Sequence, residues 1–420
     1  MDVTQKIVIA GGGMVGLAQA LAFAQHGIAS IVIEPQPYAA QLARGFDGRT
    51  SALALASAQW LEEIGVWKEL APHACPIRDI RITDNEIGKG ASSLFVHYDH
   101  REAATSAERL RATQSEPEHD CEPMGYIAEN RTIRNALYRL ASANEWIELR
   151  EGISAESVTR ETARAVLTLS DGNSIATPLV VVAEGRASKL RAQAGIRITE
   201  RDYGQTAIVA TIAHEKPHLN VAQERFYPAG PFAILPMVPP QDVVLPFAHC
   251  SSIVWTEHRR FGARFAGLPD AEFLLEVKRR FGDFLGEIAV VKPIFSYPLS
   301  NMLVSHMAEG RLVLVGDSAH RIHPIAGQGL NLGLRDAMEL AKLVGDQAAN
   351  GLDIGYDAML AAYEAARRFD VQSMSGFTHH LNGLFASDDA LLRTGRRLGM
   401  GLVEKLPPIK KLMMRRAMGF

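Results

Sequence analysis

Cysteine is scarce: Cys75, Cys121 and Cys250 are the only three in 420 residues, an odd and widely spaced set. That spacing suggests neither a disulfide framework nor a zinc site, and incidental thiols in a reducing compartment is the better reading. Long apolar runs are missing as well. No uninterrupted stretch reaches the ~18 residues of a bilayer-spanning helix. The first apolar segment contains a glycine turn and does not read as a cleavable leader. The chain is therefore expected to be soluble or to lie on a membrane. A net charge of −3 gives no general attraction to nucleic acid. With 47% apolar and 22% charged residues, the composition is that of an ordinary globular protein long enough for two packed units.

What is present begins at the amino terminus. The short apolar run Lys6 to Ala10 leads into Gly11-Gly12-Gly13-Met14-Val15-Gly16, a helix-like stretch follows from Leu17 to His26, and a second apolar run, Ala29 to Ile33, ends in Glu34. Gly11 permits a tight strand-to-helix turn, Gly13 lets the backbone approach a pyrophosphate, and Gly16 lets the helix pack closely on the strand. The helix amino terminus offers unpaired N–H groups to phosphate, and Glu34 can accept hydrogen bonds from a ribose. An acid at position 34 favours an unphosphorylated ribose, as in FAD or NAD. Glycine triplets alone are weak, but strand, turn, helix, strand and acid in this order make a dinucleotide site.

Further along, residues 86 to 124 are polar and weakly periodic and read as a variable surface insertion. Helical spacing resumes from Asn130, with Ile133, Leu137 and Leu140. A strand-turn-strand pattern turns at Ser170 to Asn173 and is followed by the buried-strand run Leu179 to Ala183. Between about Tyr203 and Leu299 the texture changes to short apolar runs broken by Pro and Gly, as in a mainly antiparallel sheet. Nucleotide-binding texture returns at Arg311 to Val315. The expected organisation is a Rossmann-like α/β domain with a parallel sheet from residues 1–85, 125–200 and 300–345, an inserted mainly antiparallel sheet domain over 201–299 for substrate, and a helical region over 346–420. The end of that tail, Ala390 to Phe420, carries eight Lys and Arg against Glu404, interleaved with Leu and Met. It reads either as a basic amphipathic segment for an anionic membrane surface or as helices packed on the domain with a solvated basic face.

Three landmarks together carry a resemblance: Gly11-x-Gly13-x-x-Gly16 with Glu34; Val181-Val-Ala-Glu184-Gly185-Arg-Ala-Ser188-Lys-Leu-Arg191; and Gly316-Asp317 with its trailing loop His323-Pro324-Ile-Ala-Gly327-Gln328-Gly329-Leu330-Asn331. With them the chain resembles the class A flavin-dependent aromatic hydroxylases of the glutathione-reductase fold type. Asp47-Gly48-Arg49, the segment Met124 to Arg131, and Gly230 to Pro236 ahead of Trp255 are similar to the ubiquinone-biosynthesis branch. The likeness leaves out 86–122, and it departs at Glu184, where the family usually has Asp.

The resemblance implies that Asp317 accepts hydrogen bonds from ribityl or ribose hydroxyls of FAD. It also implies that the amides of Gly329, Leu330 and Asn331 face the pyrimidine edge of the flavin, and that Arg49 and Arg134 contact pyrophosphate or ribose. A solvent-facing helix arginine stays open for Arg134, and a salt bridge with Arg191 stays open for Glu184. His323, Pro324, Gly327 and Gln328 would surround the flavin, with no obligatory side-chain nucleophile. Phe226, Tyr227, Phe232, Leu235 and Pro236 are candidates for the substrate wall, with core packing as the competing role for the aromatic ones. His320 and His323, three apart with no third ligand nearby, make a poor metal set, and no metal is expected.

The activity so implied is FAD-dependent hydroxylation of a polyprenylated phenol, with NADH or NADPH as reductant and O2 as co-substrate, through reduced flavin and a C4a-hydroperoxide. A prenylated substrate implies contact with a membrane surface, on the inner face of the cytoplasmic membrane, and other ubiquinone-biosynthesis proteins as partners. Three alternatives stay open: a monooxygenase for a soluble aromatic compound, a flavin reductase or dehydrogenase, and a non-catalytic FAD-binding accessory protein.

Overall fold

A computed structural model describes residues 6–42, 45–87, 95–103, 121–385 and 401–420. The first apolar run forms the strand Ile7–Ala10, buried throughout. It is the middle of a five-stranded parallel sheet in the order Leu312–Leu314, Val180–Val182, Ile7–Ala10, Ser30–Glu34, Ile147–Glu151. Val and Ile fill the central strands because such a sheet is covered on both faces. Gly11, Glu34, Glu184 and Gly316 each stand at or just beyond the carboxyl end of one of these strands, where open parallel sheets bind ligands. The helix Met14–Gln25 packs on the sheet and against the helix Gln328–Ala349. That contact needs small residues: a Cβ at Gly333 would sit 2.8 Å from Val15 Cγ2.

A second sheet of eight strands runs in the order His320–Arg321, Ile288–Val304, Ile198–His214, His249–His258, Gly230–Met237, Val221–Tyr227, Asp79–Asp84, Phe95–Asp99. Its pairs are antiparallel except Val221–Tyr227 with Asp79–Asp84. One face is sealed by Trp255, Phe232, Phe273 and Phe281, packed in a core that includes the helix Asp270–Phe281. The span 201–299 thus supplies the middle of this sheet, while its two edges come from residues 79–99 and 320–321.

The surface-insertion reading of 86–124 is therefore corrected in part. Phe95–Asp99 is an edge strand with Val96 and Tyr98 buried beside Ile80 and Ile82. Five residues of alternation are too short to stand out among polar neighbours. Residues 88–94 and 104–120, which include the acidic Ser115 to Asp120 segment, lie outside the described residues.

A small antiparallel sheet, Thr50–Ala54, Gly125–Glu129 and Cys75–Ile77, bridges the two larger ones. Its first strand is pinned to the start of Gln328–Ala349 by Asn331, whose Nδ2 donates to Ala52 O at 2.9 Å and whose Oδ1 accepts from Ala54 N at 2.9 Å. The chain then runs through the helix Asp357–Phe385, and the helix Pro407–Ala417 closes it. Met414 and Met418 enter a core with Tyr98, Phe226 and Phe385. Buried Lys410 pairs with Glu102 at 2.9 Å and Glu404 at 3.0 Å. Of the two readings of the tail, packing on the domain describes Pro407–Ala417, with exposed Leu402, Ile409, Leu412 and Phe420 left on its surface. Residues 386–400 lie outside the described residues.

Candidate active site

The glycine turn separates what the protein needs from what a ligand needs. Gly11 has φ +106°, and a Cβ there would lie 2.3 Å from Ala183 O; one at Gly16 would lie 2.0 Å from Gly11 O. Both glycines are demanded by the chain's own packing. Gly13 has an ordinary φ of −71° and a Cβ there would meet nothing within 4 Å. The space beside it is open to a ligand, at the uncapped amino terminus of Met14–Gln25. Glu34 accepts from Gly12 N at 2.8 Å and Gln36 N at 3.0 Å, which fixes its carboxylate beside the same turn.

The second landmark is tied to the third. Glu184 Oε2 accepts from Ser188 Oγ at 2.5 Å and Leu190 N at 3.1 Å, so it caps the short helix Lys189–Gln193. Arg191 instead donates to Ser318 O at 3.0 Å and Arg186 O at 2.9 Å, and Gly185 N donates to Ser318 Oγ at 2.9 Å. The alternative of a direct Glu184–Arg191 bridge gives way to this capping geometry. Gly316 N is held by Asp336 Oδ2 at 2.9 Å, and the same oxygen accepts from His320 Nε2 at 2.6 Å. His320 thereby shapes the turn that carries Asp317.

The Asp317 carboxylate opens on a cavity and makes no hydrogen bond to a described residue. Burial of its surroundings pushes its carboxyl above the ordinary range, against the pull of His320, Arg321 and Arg186. Gly327, at φ +62°, begins the helix Gln328–Ala349, and a Cβ at Gly329 would meet nothing within 4 Å. Its first N–H groups have no intrahelical acceptor, and Gly329, Leu330 and Asn331 all line the cavity.

That cavity has a volume of about 1580 Å³ and is bounded by the eight-stranded sheet, the small sheet and the carboxyl-terminal helices. Arg49, Arg186, Asp317 and the 324–331 loop form one side. Val209, Ala233, Leu235 and Val254 of the eight-stranded sheet form the other, and Leu381, Phe385, Leu412, Met413 and Phe420 lead from it. Empty space at Gly13, an unsatisfied carboxylate at Asp317 and an open helix amino terminus at Gly329 together fit FAD: phosphates, hydroxyls and an electron-accepting ring edge have one partner each.

The family described as an FAD binding domain matches residues 4–378. The chain belongs to that family. Among its relatives, the ubiquinone hydroxylase UbiL of Rhodospirillum rubrum is 42% identical over 418 residues, covering 100% of this chain and 90% of that protein. The 3-demethoxyubiquinol 3-hydroxylase of Escherichia coli is 28% identical, covering 99% and 98%. In fold, the FAD binding domain protein is similar to p-nitrophenol 4-monooxygenase PnpA of Pseudomonas putida, with TM-score 0.75 at 16% identity over 99% of this chain and 98% of that one. PqsL of P. aeruginosa gives 0.72 at 18% identity over 96% and 100%.

Within this FAD binding domain fold, several expected site residues fall elsewhere. Phe226 and Leu235 line the cavity, whereas Tyr227, Phe232 and Pro236 do not. Strand alternation is the reason: Phe226 faces the cavity and stacks on Phe385 at 3.7 Å, so its neighbour Tyr227 points to the opposite face, where its hydroxyl donates to Arg280 O at 3.0 Å. Phe232 is buried against Trp255 on that same far side.

His323 does not line the cavity: it is buried with Nε2 3.3 Å from Gln205 Oε1, while Pro324, Gly327 and Gln328 line it. Arg49 lines it too, oriented by Asp47 through Nη2 at 2.6 Å. Arg134 sits half-buried on Asn130–Ser142 and is not among the lining residues. Sequence reasoning missed Arg186, although it lies inside the second landmark, and missed the walls built from Ile80, Ile82, Val96 and Tyr98, whose two-residue alternation was the available signal.

Proposed function

We infer that this protein hydroxylates the aromatic ring of a polyprenylated phenol in ubiquinone biosynthesis, using FAD, NAD(P)H and dioxygen. The observation that carries the reading is the single cavity that joins Asp317 and Gly329 to a large apolar wall and an apolar exit. When bound and reduced, FAD activates dioxygen and supplies the oxygen atom.

The remaining work falls to the chain. The Gly13 turn and the first turn of Met14–Gln25 hold pyrophosphate, Glu34 and Asp317 accept hydroxyl hydrogens, and Arg186 and Arg49 add positive charge. The amino terminus of Gln328–Ala349 stabilises negative charge on the ring system. Val209, Ala233, Leu235 and Val254 exclude water from the reacting ring and hold it by packing. Leu381, Phe385, Met413 and Leu412 give a hydrocarbon tail a path outward. Deleting the gene and analysing the lipid extract tests the reading: a quinone precursor lacking one ring oxygen supports it. Normal quinone with no precursor and no second hydroxylase contradicts it.

The reading extends to the membrane. Leu412 and Phe420 line the cavity yet are 62% and 48% exposed, so they stand at its rim, next to Arg415 and Arg416. No helix of the described residues is long and apolar enough to cross a membrane. An apolar rim edged by arginines suits an anionic bilayer surface or the surface of a partner enzyme that hands over the prenylated ring. Binding to anionic vesicles that is released by salt supports the membrane form; absence of binding at every ionic strength contradicts it.

A further inference from the structure

The strand Val221–Tyr227 places one carboxyl group in the apolar wall of the cavity. Ala222, Glu224 and Phe226 line the cavity together with Gln223, whereas Arg225 does not and donates from Nη2 to Gln223 Oε1 at 2.8 Å. Directly opposite Glu224 in the ladder stand Ala233 on one side and Ile82 on the other. Glu224 makes no hydrogen bond or ion pair with a described residue. An unpaired carboxyl walled by hydrocarbon is costly, and the role that explains it is contact with a ligand. Thr256 Oγ1 is also buried, unpartnered and part of the cavity wall, but it is neutral and offers no base.

Resting on the proposed function, we propose that Glu224 receives the ring hydroxyl of the aromatic substrate, orients the ring by that hydrogen bond and takes up the hydroxyl proton during ring attack. As the ring carbon bonds to the incoming oxygen atom, the O–H bond of the substrate breaks. Its proton passes to a Glu224 carboxylate oxygen, and its electron pair becomes a ring C=O bond. The ring carbon then loses its hydrogen as a proton to water, and Glu224 returns its own proton as aromaticity is restored. Two electrons from the ring and two from NAD(P)H reduce dioxygen, one atom of which enters the ring while the other leaves as water.

Burial alone pushes the Glu224 carboxyl up to about 8. The other titratable groups lining the cavity include Arg49, Tyr98, Arg186, Asp317, Arg321 and Arg416. Transfer to the carboxylate therefore speeds up as pH rises towards that value.

The test uses the FAD-loaded protein with an ortho-prenylphenol and its methyl ether, comparing wild type with Glu224→Gln and Glu224→Leu. Binding is read from the flavin absorbance change and hydroxylation from single turnovers across pH. Glu224→Gln keeps the hydrogen bond and is expected to bind the phenol normally, hydroxylate it about 10² times more slowly and lose the rise with pH. Glu224→Leu is expected to weaken phenol binding by about tenfold, leave the ether unchanged, and so erase the preference for a free hydroxyl.

A Gln variant with the wild-type pH profile, together with a Leu variant that keeps the preference, overturns the assignment. Should the Leu variant lose FAD or fold, the pH profile of the Gln variant decides alone. Wild type that binds FAD but hydroxylates no phenol overturns the functional reading and this assignment with it. Active wild type with unaffected variants overturns the assignment alone.

Discussion

Gly13 and Gly16 stand three positions apart and answer to different partners. A Cβ at Gly16 collides with Gly11 O, whereas one at Gly13 reaches only empty space. Gly16→Ala is expected to destabilise the apoprotein by about 1–3 kcal/mol, through forced separation of helix and strand. Gly13→Ala is expected to leave its melting temperature nearly unchanged and weaken FAD binding at least about tenfold, about 1.4 kcal/mol. Flavin fluorescence titration and thermal melts of the two variants check this; equal loss of stability in both would contradict the division. Asp317→Ala should likewise cost FAD affinity, by roughly 1–3 kcal/mol, with little cost to apoprotein stability, because its carboxylate makes no hydrogen bond to a described residue.

At this scale the sequence was informative wherever a residue's task is set by its chain neighbours. Gly11, Glu34 and Asp317 stand at or just beyond the end of an apolar strand, and Gly16 in the first turn of the helix that follows one, so the strand ends fix where they lie. Phe226, Tyr227 and Phe232 were not separable, because both faces of their strands are covered by apolar residues and the phase of the alternation is set only by the fold.

Among the elements, the helix Gln328–Ala349 connects the turn, the small sheet and the tail. Asp336 on its third turn is fully buried and accepts from Gly316 N, His320 Nε2 and Arg367 Nε, the last at 2.8 Å. Burial alone would push its carboxyl up, but His320 and Arg367 hold it below the ordinary range. Asp336→Ala removes one of the two carboxylates that pair with the buried Arg367 guanidinium, leaving Asp370 at 2.8 Å, and strips the acceptor from Gly316 N and His320, so it is expected to cost about 3 kcal/mol in urea unfolding. A loss under about 1 kcal/mol would contradict the role given to this carboxylate. Neither the acceptor set of Asp336 nor the anchoring of Ala52 and Ala54 by Asn331 was legible beforehand, since the partners are 16 to 279 positions away. Four of the five parallel strands were legible because a strand buried on both faces is a continuous apolar run; the edge strand Ile147–Glu151, polar and only partly buried, was not. Phe95–Asp99, with one face on a core and one in solvent, was not.

For the whole molecule, two buried histidines set an acid limit. Burial pushes His214 and His323 down to about 4 from an ordinary 6.5, so both are neutral in the fold. The unfolded chain takes up protons there first, and stability is complete above pH 6.5 and lost as pH falls towards 4. Melting temperatures of the apoprotein across that window are expected to fall with pH, and a smaller fall is expected for His323→Asn; a flat profile would contradict this.

The cavity itself was the least legible feature. Its walls come from the strands at 50–54, 79–84, 95–99 and 221–237, the loop at 324–331 and the carboxyl-terminal helices. No local pattern announces that these segments converge, although each carries its own alternation or helical spacing.

The most direct test of the account is hydroxylation of a prenylated phenol by the purified, FAD-loaded protein under isotopically heavy dioxygen with NAD(P)H, read by mass spectrometry. The account predicts one heavy oxygen atom on the ring of the product. Oxidation of NAD(P)H with no label in any ring product would contradict it.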